Sequence, residues 1–179
     1  MGAAESWIAV KGLSTEEFLK ALSVKKTGNT SEIHDWDWSY VDLQNGWQVI
    51  SCINGEKFLP EDKVLMRRLS CSAEATITGC IEEHVMFSGA YGWSQGRKVW
   101  TCEHDSNKGP EHLRAEGQTP DCLDEAKREI AALSAGSKFT DVDYVFDIPV
   151  SVSMKICGYG SYTQPYELGF DAFEELQRA

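Results

Sequence analysis

The sequence contains no apolar run approaching 18 residues, so no segment reads as a membrane-spanning helix. Its cysteines, Cys52, Cys71, Cys80, Cys102, Cys122 and Cys157, form no C-x-x-C and no zinc-ribbon pairing, which removes the usual thiolate metal sites. G-x-S-x-G and H-E-x-x-H are both absent, and with them the nucleophile elbow and the zincin helix. "GYGSY" (158–162) carries two glycines but no following G-K-[ST], so it is no phosphate loop. Positive charge is scarce: 17 Lys and Arg stand against 28 Asp and Glu, a net charge of -11. Such a field repels phosphate backbones and anionic lipid, which weighs against nucleic acid and membrane as partners. It favours a basic protein partner, or simply solubility.

"MGAAESW" has neither a basic n-region nor an apolar h-region, so the expected location is cytoplasmic. Cysteines scattered through such a chain are expected to be reduced, small core residues. "MGAAES" also fits the myristoylation pattern with Gly2 as acceptor, a pattern short enough to arise often by chance.

What is present is a globular composition. Hydrophobic residues make up 42% of the 179, with six tryptophans. One domain over 1–179 is expected. A chain of this length buries roughly 70% of its unfolded surface and needs no disulfide or metal to fold.

"SWIAVKG" (6–12) alternates Trp7, Ala9 and Lys11 against Ile8 and Val10, and reads as a strand. "LSTEEFLKAL" carries a complete helix start: Ser14 as N-cap, Glu17 closing the capping box, and Leu13 stapling Phe18. Phe18, Leu19 and Leu22 form its apolar stripe. "KKTGNTSEIHD" (25–35) is polar and turn-rich, and reads as a flexible loop. Two strands, "WDWSYVDL" and "WQVISCI", follow around Asn45-Gly46, the dipeptide of a two-residue hairpin turn. "LPEDKVLMRRLS" (59–70) reads as a helix opened by Pro60 and two acids and closed by Arg67-Arg68, with Val64, Leu65 and Leu69 inward.

Residues 74–92 and 97–105 read as two long strands around Ser94-Gln95-Gly96, and "HLRAEG" as a further short one. A helix is expected from Thr119-Pro120 through Leu123, Ala126, Ile130 and Leu133 to Gly136. "VDYVFDI" has strand composition. In "DIPVSVSMKICGYG" (147–160) strand alternation competes with a helical face of Ile148, Val152 and Ile156; helix is the preferred reading, capped by Asp147 and ended by Gly158. The tail "FDAFEELQRA" is helical by propensity, packing through Phe170 and Phe173. Together these predict an α+β fold: a mostly antiparallel sheet with three to five helices packed on one side.

Two clusters combine histidine with carboxylates. With Gly96 third in a three-residue loop, His84, Met86, Cys102 and His104 share one sheet face, and Glu83, Glu103 and Asp105 share the other. A two-residue turn, Gln95-Gly96, would exchange these partners. In the first register His84 and His104 are diagonal neighbours that could converge on a substrate, or on a metal with Cys102 as a third ligand. Zinc needs three or four ligands on one side, so no metal or other cofactor is expected. Histidines hydrogen-bonded at a sheet edge are the plainer reading. In "HDWDWSY" (34–40), Trp36, Trp38 and Tyr40 share one strand face and Asp35 and Asp37 the other. Such a stripe is expected to be core, continuous with Trp7, Trp47, Trp93 and Trp100.

"SWIAVKGL", "NGWQVISC", "EEHVMFSGA", "VWTCEHDS", "VDYVFDIPV" and the following "GY" together resemble a group of small bacterial proteins without an assigned activity. The resemblance runs from Trp7 to Tyr159. It implies a bacterial, cytoplasmic, single-domain protein, and no site residue. Two functions are expected in order. The first is a non-enzymatic, acidic protein-binding module, an immunity-type inhibitor being one version. The second is a small metal-dependent or acid/base hydrolase using His84 and His104, with Glu83, Glu103 or Asp105 as partner.

Overall fold

The computed structural model describes residues 3–34, 36–53, 62–139, 142–161 and 173–179. Gly2, Asp35, Pro60 and Phe170, each singled out above, lie outside the described residues. The chain runs β1 (Ala4–Lys11), α1 (Thr15–Leu22), β2 (Val24–Ser31), β3 (Trp38–Asp42), β4 (Trp47–Ile53), α2 (Lys63–Ser72) and β5 (Ala75–Glu82). It continues with β6 (Phe87–Ser94), β7 (Arg97–Asp105), β8 (Arg114–Gly117), α3 (Leu123–Gly136), α4 (Asp147–Cys157) and β9 (Phe173–Arg178). The strands form a nine-stranded sheet in the order β2-β9-β3-β4-β1-β5-β6-β7-β8, with the paired neighbours antiparallel. No helix among the described residues is long and apolar enough to cross a membrane.

The helices cover both faces of this sheet, and not one face as the sequence suggested. Phe18 of α1 and Met66 and Leu69 of α2 pack with Ile8, Val10, Ile50 and Trp93. Leu123, Ala126 and Ile130 of α3 and Val150 and Val152 of α4 pack with Trp7, Ala9, Val49 and Ala90 on the other side. The cause lies in β1 and β4, whose successive residues are apolar in both parities. An exposed face on either side would leave half of those side chains wet. The tryptophans divide accordingly: Trp7, Trp47 and Trp100 belong to the α3–α4 side, and Trp93 to the α1–α2 side. The aromatic stripe divides too, since Trp36 packs with the first group while Trp38 and Tyr40 pack with the second.

Local signals decided the helices. The α1 capping box is present in full: the Ser14 hydroxyl accepts from the Glu17 amide (3.3 Å) and the Ser14 amide donates to Glu17 Oε2 (3.0 Å). Asp62 caps α2, its Oδ1 accepting from the amides of Val64 (3.1 Å) and Leu65 (2.9 Å). Val64, expected inside, is 79% exposed, and Met66 takes its place in the core. Leu133, expected on the buried stripe of α3, is exposed. The α3 helix begins at Leu123 after a turn in which the Leu123 amide donates to the Pro120 carbonyl. The ambiguous 147–157 segment is a helix, closed by Gly158 in the left-handed region. "VDYVFDI" is not a strand: residues Tyr144–Phe146 form a 3-10 turn that leads directly into α4.

Three further differences have tertiary causes. The expected loop at 25–35 contains β2, an edge strand with only Val24 buried, so its polar composition costs nothing. The tail is β9, not a helix. It fills the slot between β2 and β3, and Phe173 and Leu176 reach the two opposite cores. The hairpin at Asn45-Gly46 has a longer turn than two residues, with positive φ at Gln44 (57°) and Gly46 (88°). Asn45 is thereby freed to donate to the Cys157 carbonyl (3.0 Å), tying the hairpin to the end of α4.

Candidate functional site

The β6–β7 turn is the two-residue form, with Ser94 paired to Arg97 and positive φ at Gln95 and Gly96. A bulge at Val99 then shifts the register, so that Ser88, not Met86, lies opposite His104. Residues 74–92 are two strands, and His84 sits in the turn between them. Its Nδ1 is 2.6 Å from Glu82 Oε1 in an exposed pair. Glu82 alternates with Ile81 of the α3–α4 core, which draws this imidazole toward the α1–α2 side.

His104 is fully buried on the α3–α4 side, edge-on to Phe146. Its Nδ1 donates to the His112 carbonyl (2.7 Å), and Nε2 lies 2.9 Å from Asp143 Oδ2. That second approach is a charge contact without hydrogen-bond alignment. With Nδ1 already committed as a donor, it is favourable only when a proton sits on Nε2 or on the carboxyl. The structure therefore does not bring His84 and His104 together.

The other expected partners are equally dispersed. Glu83 Oε2 accepts from the Ala3 amide (2.7 Å). Glu103, on the α1–α2 side, accepts from the Tyr91 hydroxyl (3.2 Å) and from Arg114 (3.0 Å). Asp105 is held below the usual carboxylate range by its Lys108 contact. Burial pushes the Cys102 thiol up to about 12, which leaves it protonated and inert. Among the described residues no group of three or more His, Cys, Asp and Glu is arranged to hold a metal. All six cysteines are free; Cys52, Cys102 and Cys157 are buried, and Cys71 is exposed.

A constellation absent from the sequence reading lies across the middle of the sheet. Glu5 on β1 and Ser51 on β4 are diagonal neighbours on the α3–α4 face, because Glu5 pairs with Ile53 and Trp7 with Ser51. His34 reaches over them. Its Nε2 is 3.1 Å from Ser51 Oγ and its Nδ1 is 3.7 Å from Glu5 Oε1, while its ring stacks on Phe173. The Tyr159 hydroxyl, arriving after α4, donates to Glu5 Oε1 (2.8 Å). Beside Ser51, the buried Ser39 hydroxyl has no hydrogen-bond partner among the described residues.

Burial raises the Glu5 carboxyl to about 7, against smaller opposing hydrogen bonds from Ser161 and Tyr159. Burial likewise holds Tyr159 well above its ordinary value. The order Ser51–His34–Glu5 is that of a nucleophile, its base and an orienting acid. Ser51 is only 1% exposed, so its hydroxyl is closed to solvent. Sequence spacing could not reveal this group, whose members come from four separate segments. The one local sign was a serine ending the otherwise apolar run Trp47, Val49, Ser51.

Among the grooves formed by the described residues, one on each face bears on function. Between α3 and α4 lies a groove of about 480 Å³ lined by Ile130, Asp147, Val150, Ser151 and Met154. Leu133, 62% exposed, stands one turn beyond Ile130 on the same helix side. Asp147 is raised above its ordinary range, first by burial and then by the charges of Asp143 and Glu83. On the opposite face, α2 and the β6–β7 turn enclose a groove of about 1110 Å³. Comparison with protein-family models, curated proteins and solved structures finds no match for this chain.

Proposed function

We propose that this is a non-enzymatic, cytoplasmic binding module that docks a basic protein segment on its α3–α4 face, in the manner of an immunity-type inhibitor. The observation that carries this reading is the pairing of an apolar groove with Asp147 at its edge. Asp143 and Glu83 crowd this carboxylate, so an incoming Lys or Arg would relieve repulsion that the free protein bears. Half-buried Met154 and exposed Leu133, over the buried Ile130 and Val150, offer the apolar surface that such docking requires. The net charge of -11 steers a basic partner toward the protein and disfavours nucleic acid.

The test is capture from the native cell by the full chain, compared with Asp147→Asn and Leu133→Ser. A partner held at low salt, released at high salt and lost in both variants supports the docking face. A partner held equally by all three proteins, or none at low salt, counts against it.

A second reading keeps acid/base hydrolysis but moves it from His84 and His104 to Ser51, His34 and Glu5, on the distances given above. A fluorophosphonate probe should label Ser51 in that case. Absence of labelling in the native protein removes the reading.

A further inference from the structure

Helix α2 places Lys63 and Arg67 four residues apart, on one side of the helix. The β6–β7 turn is fastened against that side. The Gln95 amide donates to the Ser70 carbonyl (3.2 Å), and the Gly96 amide donates to Ser70 Oγ (2.9 Å). A Cβ on Gly96 would come within 2.8 Å of Arg67 Cγ, so the approach depends on glycine. This fastening fixes Arg97 and Lys98 across the groove from Lys63 and Arg67, with Trp93 beneath and Val64 on the wall.

The concentration of charge is unlike the rest of the molecule. Four of the chain's 17 basic residues line this groove, in a protein of net charge -11, and no acidic side chain is among the described residues that line it. Asp62, the nearest carboxylate along α2, is committed to the helix amides. None of the four cations forms an ion pair among the described residues. Lys98 is held over the Tyr91 ring, 4.5 Å from its centroid. Lys98 also feels the Glu116 carboxylate, but no such neighbour faces Lys63, Arg67 or Arg97 among the described residues, and these like charges repel each other until an anion enters.

We infer that this groove binds a nucleoside di- or triphosphate. Two guanidinium forks and two ammonium groups match a chain of phosphates, since Arg binds phosphate bidentately and Lys as a point charge. Exposed Val64, with the largely buried Trp93 beneath, supplies apolar surface for the remainder of the ligand. The volume exceeds what inorganic phosphate fills and reaches the upper range of small-molecule sites, roughly 300–1,000 Å³. A nucleic acid strand longer than the groove would meet the repulsion of a protein with net charge -11, which favours the free nucleotide.

Calorimetric titration of the full chain with ATP, in chelator and at low salt, tests the assignment. ATP should bind at least fivefold more tightly than inorganic triphosphate. Arg67→Ala and Arg97→Ala should each weaken binding at least tenfold without lowering the melting temperature, because both side chains are exposed. Lys127→Ala, on α3 across the sheet, should leave binding unchanged. Absence of binding by ATP, or equal binding by the double Arg variant, would overturn the site. Equal affinity for triphosphate, or tighter binding of a single-stranded oligonucleotide or an oligoglutamate peptide, would overturn the nucleotide assignment.

Discussion

The two faces of the sheet are built from similar apolar material and carry opposite kinds of polarity. On the α3–α4 side, polar groups penetrate to the sheet itself. Glu5, Ser51 and His104 sit among Trp7, Val49 and Cys102, each held by partners from distant segments. On the α1–α2 side Tyr40, Tyr91 and Glu103 are also buried, and a basic groove lies nearer the rim, between a helix and a hairpin turn. A core that contains titratable groups makes stability depend on pH, whereas charges at the rim leave stability alone and act on ligands.

The largest expected effect tests whether the faces are independent. Trp47 packs with the α3–α4 side, whereas Leu19 and Leu22 of α1 pack with the other core. Trp47→Ala should cost about 3–5 kcal/mol in urea denaturation. Combined with Leu19→Ala, the losses should add to within about 0.5 kcal/mol, as they do for sites without shared partners. A larger coupling would place the two residues in one core.

Next comes Glu5. Its carboxyl titrates at about 7 in the folded protein against 4.5 ordinarily, so between these values the folded state keeps a proton that the unfolded state has released. Stability should be greatest near or below pH 4.5, fall as pH rises to about 7, and flatten above. At about 1.4 kcal/mol per pH unit the decline is on the order of 3 kcal/mol. Glu5→Gln should abolish that slope in urea unfolding measured across the range. A variant retaining the full slope would put the titrating group elsewhere, on the other face included.

Smaller effects belong to the exposed elements. Ser14→Ala removes the hydroxyl half of the α1 capping box, leaving the residue-14 amide free to donate to Glu17, and should cost about 1 kcal/mol, read by thermal melting. His84→Ala breaks only the exposed contact with Glu82 and should stay within about 0.5 kcal/mol of the parent. If His84→Ala proved worse than Ser14→Ala, that histidine would be part of a buried network and the contrast with His104 would fail.

Elements were legible wherever the signal was local. The Ser14–Glu17 box, the Gly158 stop and the alternation of β1 each rest on neighbours within a few residues, and each appears in the fold. Reading failed where the environment outranked propensity. Glu174 and Glu175 favour helix, yet a vacant pair of strand edges made 173–178 a strand. His84 and His104 looked alike in sequence, and one residue of bulge at Val99 with one turn at 83–86 gave them unrelated surroundings.

The sequence by itself determined the antiparallel α+β character, the acidic field and the capped start of α1, because charge and short-range hydrogen bonding act without knowledge of the fold. Only the tertiary structure decided that both faces are covered, that Glu5 meets His34, Ser51 and Tyr159, and that Lys63 and Arg67 face Arg97 and Lys98. Those contacts join residues that are far apart in the chain. They exist only once burial of β1 and β4 on both sides has fixed the order of strands, and no spacing along the sequence encodes that order.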